Sequence, residues 1–481
     1  MKFSIIATSD IHGHTERFSQ LATMIQARRP ALLIDNGDFL QGSHLSFYYE
    51  NYLDEKHPQI TLANKLRYDV AVFGNHEFNY PLKTIEAMRA ACQFEWIAAN
   101  IKDFAKPFFI KEVHGIRIAV IGVVTHYTAL WDEGEATKSL CFEDAFLAAQ
   151  RTVKFVREHE QVQLVILSYH GGFERNIETG DLIDIEIGEN QAYQMLQEID
   201  GIDIFITGHQ HLEIASKFRG VSVVQPGSNG KCFAQIDITI EDKHISHMPS
   251  LVYVDTSIEQ VNFPSFNEWK NEVLGIASTN LMYEDFFTPR LQATTYTQFV
   301  HNMQLHYTNA QLSVIELPYH SHGGFPEKIT RKDVLHNISR QNRLQVIQLN
   351  GLEIRQAIEL SASVFAINSQ GAIDFSMNVY FPEPQPYTYD IWGGIDYEIT
   401  LSNPVGKRLT KLQYGNQDIQ DEDVFEVVVN SYRATGAHQF TMFKKTPIRE
   451  TTLYVPHLMM QYILQTSPIQ VEVNNHFQLK K

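Results

Sequence analysis

A chain of 481 residues is too long for one ordinary hydrophobic core, so two domains are expected. Its 44% hydrophobic content, with 30 Phe and 21 Tyr, can fill two cores and excludes wholesale disorder. A formal net charge of −17 excludes broad binding to nucleic-acid polymers or to an anionic membrane surface. An anionic substrate would have to be drawn in locally, by metals and a few Arg or Lys.

Cys92, Cys141 and Cys232 are odd in number and widely spread, which is no disulfide framework. They read as inert buried thiols in a reducing compartment. The first eight residues run straight into a polar motif, with no room for a signal peptide. No stretch of about 18 apolar residues is present, so no membrane span is expected. The expected location is the cytoplasm.

The first half alternates between the two periods of regular structure. Residues 3–8 have the pattern of a buried strand. Over 15–29, Phe18, Leu21, Ala22 and Ile25 form a helical stripe. Strands follow at 31–34 and 70–73, a helix at 82–91, and strands at 96–98 and 116–124. A helix over 142–159, a strand over 164–168, a helix over 191–199 and a strand over 202–207 continue the pattern. Two alternating segments, 221–225 and 233–240, close the region. Strands alternating with helices imply an α/β layered fold.

The pattern changes between 255 and 284. A helix is expected over 266–276, with Ser265 able to cap it, and the segment reads as a linker. The two domains are therefore expected at 1–254 and 285–481. The second opens on a long helix, 294–307. It continues with mixed elements at 334–336, 343–349, 352–365, 397–401 and 424–429. Residues 369–390 are rich in Pro and aromatics and read as a structured loop or hairpin.

Five polar motifs each follow an apolar run in the first half. They are Asp10-Ile11-His12, Gly37-Asp38, Gly74-Asn75-His76-Glu77, His170-Gly171-Gly172 and Gly208-His209-Gln210-His211. In open α/β sheets, ligands collect outside the carboxyl ends of strands, where all five lie. Any one motif is weak evidence, because Gly-Asp marks turns and the chain has 21 His. Together they supply the carboxylate, imidazole and amide donors that a pair of divalent ions needs. Such a pair clamps the attacking and leaving oxygens of a phosphate ester.

Asp38 is the best bridging carboxylate. One ion would then take Asp10, His12 and His211, and the other Asn75, His170 and His209. His76 can stabilise charge on the phosphoryl group or protonate the leaving oxygen, beside Asn75. The donor set suits Mn, Zn, Fe or Co.

This set resembles the calcineurin-like metallophosphoesterases, and more narrowly the 5′-nucleotidase family. The second half adds to the likeness through Tyr387-Thr388-Tyr389-Asp390-Ile391-Trp392-Gly393-Gly394, Asn430-Ser431-Tyr432-Arg433-Ala434-Thr435-Gly436 and Glu359-Leu360-Ser361-Ala362. These stretches, and Gly74 to Tyr80, are similar to the 2′,3′-cyclic-nucleotide 2′-phosphodiesterase/3′-nucleotidase branch.

The resemblance implies a four-layer α/β/β/α catalytic domain followed by a smaller α+β substrate-binding domain. It implies two divalent metal ions, a nucleotide substrate, and a nucleobase sandwiched by Tyr432 and either Tyr387 or Tyr389, with Asn430 beside them. Other small phosphoesters, such as nucleotide sugars and dinucleotides, and a binder without turnover are the alternatives. Two positions depart from the family pattern. Asn79 stands where an Asp pairs with the catalytic His, and Gly323-Gly324-Phe325-Pro326 lacks the Arg of a Gly-Gly-x-Arg substrate motif.

Overall fold

The computed structural model describes the whole chain except residues 54, 132–134, 185–186, 243, 319–321, 339–340, 377–388, 438 and 475, and the side chain of Glu135. The chain divides into two compact units, Met1–Phe263 and Pro264–Lys481.

In the first unit, β1 (Lys2–Thr8), α1 (Thr15–Arg28), β2 (Leu32–Asp35), α2 (His44–Tyr52), α3 (Pro58–Leu66), β3 (Val70–Val72), α4 (Leu82–Ala91) and β4 (Glu95–Ile97) come first. The strands β5 (Phe108–Val113) and β6 (Ile116–Val124) follow, then α5 (Thr128–Trp131), α6 (Glu135–Lys138) and α7 (Ala145–His159). The unit closes with β7 (Leu164–His170), α8 (Ala192–Glu198), β8 (Ile204–Thr207), β9 (Glu213–Phe218), β10 (Val221–Pro226), β11 (Cys232–Glu241) and β12 (His244–Tyr253).

The strands form two six-stranded sheets, ordered β12-β11-β1-β2-β3-β4 and β5-β6-β7-β8-β10-β9. Strands β1 to β4 are parallel, as are β6, β7, β8 and β10; the antiparallel pair β11 and β12 extends one side of the first sheet, and antiparallel β5 and β9 edge the second. Ile5, Ile34 and Val72 of the first sheet pack with Val120, Ile166 and Ile206 of the second in one core between the sheets. Ile6, Leu33 and Ala71 face the other way, onto Phe18, Leu21 and Ile25 of α1 and Ile85 of α4. Ile121, Val165 and Leu167 likewise face Ala149, Val153 and Val156 of α7 and Met195 of α8. The unit is therefore layered α/β/β/α, as expected. Coverage on both faces explains why every residue of β2 and β7 is buried and why these strands read as continuous apolar runs.

Local chemistry sets the helix ends. Arg29 adopts a left-handed conformation after α1 and its N–H closes onto the Ile25 carbonyl. Asp144 starts α7 by accepting a hydrogen bond from the Leu147 N–H.

The second unit is a mixed α and β body. Its main sheet runs Ile391–Gly393, Leu312–Ile315, Val424–Asn430, Leu344–Asn350, Arg449–Glu450. Helices Thr295–Thr308 and Gly351–Ala362 begin with capping boxes, built on Thr294 with Thr297 and on Asn350 with Glu353. A four-stranded sheet, Gln417–Asp418, Leu409–Tyr414, Asp396–Thr400 and Phe477–Lys480, completes it.

Two expectations change. The helix expected over 266–276 spans Pro264–Lys270, and Val273–Ile276 is instead a strand paired with Lys328–Thr330. Pro264 suits a first helical turn, which puts Ser265 inside the helix. Gly275 then packs so closely on Ile463 that a Cβ would come within 2.8 Å of its side chain. Residues from Pro264 onward belong to the second unit. Within 369–390, Ile373–Phe375 pairs with Phe365–Ile367; residues 377–388 lie outside the described set.

Candidate metal centre

The polar motifs of the first unit meet at one place. Asp10 follows β1, Asp38 follows β2 and Asn75 follows β3, all in the first sheet. His170 ends β7, and His209 and His211 follow β8, both in the second. Donor atoms of Asp10, His12 and His211 lie within 4.8 Å of one another, as do those of Asp38, His170 and His209, and those of His12, Asp38 and His76.

The backbone is bent to bring them there. Asp10, His12, Asp38, His209 and His211 all have positive φ, between 52° and 70°. A non-glycine residue rarely takes this conformation, and functional sites are where such strain collects. Hydrogen bonds hold it: the Asp10 N–H donates to Gly37 O at 2.9 Å and the His12 N–H to Asp38 O at 2.9 Å. The His209 N–H reaches both carboxylate oxygens of Asp10, at 3.1 and 3.2 Å.

The imidazoles are fixed from behind. His170 Nδ1 lies 2.6 Å from the Asn36 carbonyl and His12 Nδ1 lies 2.9 Å from the Gln41 carbonyl. A carbonyl can only accept, so each Nδ1 carries a proton and Nε2 points inward. His170 Nε2 is 3.1 Å from Asp38 Oδ2 and 3.2 Å from Asn75 Oδ1. His12 Nε2 is 3.0 Å from His211 Nε2. Asn75 Oδ1 also lies 3.0 Å from His209 Nδ1.

Both carboxylates are buried, Asp10 at 0% and Asp38 at 1% exposure. Among the described residues, only imidazoles form ion pairs with them; no Lys or Arg does. Burial lowers the affinity of His170 for a proton, but Asp38 and Asp10 prevail and push it up to about 10. Burial would raise Asp38, yet His170, His76 and His12 hold it well below the usual carboxylate range. The cluster thus demands positive charge, and its oxygen and nitrogen donors fit divalent cations.

Three supporting residues did not stand out as site residues in the sequence. Glu77 is fully buried and accepts from the N–H groups of Asp38, Phe39 and Gly74 at 2.9, 2.8 and 2.7 Å. Burial and the nearby Asp38 push its carboxyl up to about 7. Its place in Gly-Asn-His-Glu was the signal available. Asn36 supplies the carbonyl behind His170 and was hidden at the end of an apolar strand. Glu189 contacts His209 from an irregular segment that carries no periodic signal.

The second unit separates its expected residues. Tyr432 is half-buried in the short helix Ser431–Ala434. Asn430 caps that helix, its side chain accepting from the Arg433 N–H at 2.7 Å. Arg433 is itself buried and bonds Asp390 through Nε and Nη2 at 3.1 and 2.9 Å. Tyr389 is 1% exposed, its ring set edge-on to Phe365 at 4.9 Å, so it is a core side chain with no face free for a base. Tyr387 lies outside the described residues. Cys141 is exposed, against the expectation of three buried thiols, while Cys232 is buried and Cys92 intermediate.

Residues 3–213 match the family model for calcineurin-like phosphoesterases, and residues 274–445 match that for the 5′-nucleotidase C-terminal domain. The chain belongs to the 5′-nucleotidase family of calcineurin-like phosphoesterases. It is accordingly a phosphoester hydrolase, of a family that uses divalent metals.

Its similarity to individual members of that family is modest in sequence and high in fold. It is 24% identical to the trifunctional nucleotide phosphoesterase protein YfkN of Bacillus subtilis over 99% of this chain, but it spans only 39% of that protein. It is 24% identical to a 2′,3′-cyclic-nucleotide 2′-phosphodiesterase/3′-nucleotidase of Yersinia enterocolitica, covering 89% of this chain and 80% of the relative. A Staphylococcus aureus structure assigned to 5′-nucleotidases, solved in complex with α-ketoglutarate, superposes with a TM-score of 0.93. It shares 26% identity and both chains are covered in full, 100% each.

Against the 5′-nucleotidase pattern, Asn79 keeps the contact that an Asp would make. Its Oδ1 lies 2.6 Å from His76 Nδ1. Gly323 and Gly324 form a strand with Leu281–Tyr283, and a Cβ on Gly324 would meet the Leu281 carbonyl at 2.0 Å. Among the described helices, none is long and apolar enough to cross a membrane.

Proposed function

We propose that this chain hydrolyses phosphoesters of nucleotides at a dimetal centre. Asp10, His12 and His211 would hold one ion, Asn75, His170 and His209 would hold the other, and Asp38 lies where it would serve both. The observation that carries this reading is the convergence of imidazole, carboxylate and amide donors on two buried carboxylates that have no Lys or Arg partner among the described residues. Divalent cations bound there would polarise a phosphoryl oxygen and acidify a water. Mn, Zn, Fe or Co would suit the donors.

The chain's own residues do the rest. His76 is tied to the centre by its N–H, which donates to Asp38 Oδ1 at 2.8 Å, and its ring lies 5.3 Å from that of His12. It stabilises charge on the phosphoryl group or delivers a proton to the leaving oxygen. Asn75 shares that turn and contributes both to metal holding and to catalysis. Tyr432 offers its ring to the nucleobase. The names of the relatives support substrates among 5′- and 3′-nucleoside monophosphates and 2′,3′-cyclic nucleotides. Three unpaired thiols suit a reducing compartment, the cytoplasm.

The test is a Mn-supplemented panel of 5′-, 3′- and 2′,3′-cyclic nucleotides, a nucleotide sugar and a bis-aryl phosphodiester. Turnover of nucleotides ahead of the aryl ester is expected. No turnover of any member, with metal bound, would overturn the reading in favour of a binding protein.

A further inference from the structure

His209 is braced from outside the donor cluster. Its Nε2 lies 2.9 Å from Glu189 Oε1, and the Trp131 ring stacks on the imidazole at 5.4 Å and 20°. Glu189 does not reach there by chance of a free loop. Its carbonyl accepts hydrogen bonds from the hydroxyls of Thr125 at 2.8 Å and Tyr169 at 3.1 Å, and both donors are fully buried. The next residue, Asn190, accepts from the Gly172 N–H at 2.7 Å, two residues past the end of β7. The segment is thus pinned to the strand that carries His170.

The chemistry follows from what a carboxylate can do. Glu189 accepts, so a proton sits on His209 Nε2, and in the neutral ring that ligates a cation Nδ1 keeps its lone pair. Nδ1 is the atom that faces Asn75 Oδ1 at 3.0 Å. His12 and His170 obtain the same result in mirror fashion, through backbone carbonyls on Nδ1. A carboxylate does more than a carbonyl, because its charge makes the imidazole a stronger donor.

We propose that Glu189 is a positioning residue for the cation held by Asn75, His170 and His209: it sets the tautomer of His209 and strengthens its Nδ1 as a ligand. The proposal rests on the dimetal reading given above.

The test uses the full chain, stripped with a chelator and titrated with Mn²⁺ under calorimetry. Wild type should bind two ions. Glu189→Ala should keep one and bind the second about 10- to 100-fold more weakly, the usual cost of losing such a partner. Glu189→Gln, whose carboxamide oxygen can still accept, should recover most of that loss. Nitrogen-15 spectra of metal-free protein should place the His209 proton on Nε2 in wild type and divide it between both nitrogens in Glu189→Ala.

Equal affinities for both ions in wild type and Glu189→Ala would overturn the proposal. So would a wild-type spectrum with the proton on Nδ1, a measurement that does not depend on any variant folding. A wild-type protein that takes up no second ion would remove the dimetal reading itself, and the proposal with it.

Discussion

The imidazole of His76 and the carboxamide of Asn79 lie 2.6 Å apart, Nδ1 to Oδ1, within the short 3-10 turn His76–Asn79. The amide orients the ring but brings no charge to hold an imidazolium. His76→Ala should lower turnover by about 10²-fold with metal content unchanged, the scale of a lost general acid. Asn79→Ala should cost much less. Asn79→Asp should move the basic limb of the kcat/KM profile to higher pH, because a carboxylate at that distance favours the protonated ring. Equal damage from the two alanine variants would refute the reading that Asn79 only orients the ring.

Asp38 should be the least replaceable residue of the centre, because on the dimetal reading it would serve both ions. Chelation should abolish activity and Mn or Co should restore it. Asp38→Asn should lower bound metal more than any other single ligand change. Saturating Mn should also raise the melting temperature, since a ligand at a hundredfold excess over its Kd stabilises by about 2.7 kcal/mol. Metal analysis and thermal melts decide this. Undiminished activity in metal-free protein would sink it.

Gly74 offers a purely steric test. A Cβ there would sit 2.2 Å from Asp38 Oδ1 and 2.4 Å from its amide nitrogen, and the backbone is not left-handed. Gly74→Ala should therefore cost metal affinity on the scale of Asp38→Asn, with the far-ultraviolet spectrum preserved. Gly115 has φ +80° and nothing within 4 Å of a Cβ. Gly115→Ala should cost stability, roughly 1 kcal/mol of backbone strain, and leave metal binding alone.

In the stripped protein, His170 holds its proton up to about 10, because Asp38 and Asp10 outweigh burial. At pH 7 the imidazole is then charged, and a cation can take its lone pair only by displacing that proton. Apparent metal affinity should rise with pH across the neutral range. Calorimetry in buffers of different ionisation enthalpy should register proton release. Binding heats that ignore the buffer would contradict this assignment.

Tyr389 is core and Tyr387 lies outside the described residues, so Tyr432 is the stacking candidate to test first. Tyr432→Ala should weaken nucleotide binding by about 1–3 kcal/mol, and Tyr432→Phe should be nearly silent. An aryl phosphate should notice neither change. Equal losses on nucleotide and aryl phosphate would make Tyr432 a packing residue.

The layered fold was legible because buried parallel strands leave apolar runs, as in Leu32–Asp35 and Leu164–His170. The candidate ligands were legible because Asp10, Asp38, Asn75, His170, His209 and His211 interrupt or follow such runs with side chains that a strand end does not need. What set them in place was not. The left-handed backbone at His12 or His211 has no glycine to announce it. Glu189 owes its role to a contact made 20 residues away along the chain, which no local spacing reports. Tyr389 and Tyr432 look alike in an aromatic-rich sequence; the 1% exposure of Tyr389 against the half-burial of Tyr432 tells them apart. Val273–Ile276 has the apolar content of a helix turn, and its pairing with Lys328–Thr330 decides otherwise.

His12 and His211 touch across 199 residues of sequence, and the centre takes donors from both sheets. During synthesis, at about 5–20 residues per second, roughly 10–40 s separate the appearance of the first donor from that of the last. A nascent chain that has not yet released His211 offers Asp10, His12 and Asp38 on one sheet with nothing opposite to close around an ion. On the dimetal reading, loading would be a late event in the life of the molecule, and an ion caught in the finished centre would report that both sheets have met.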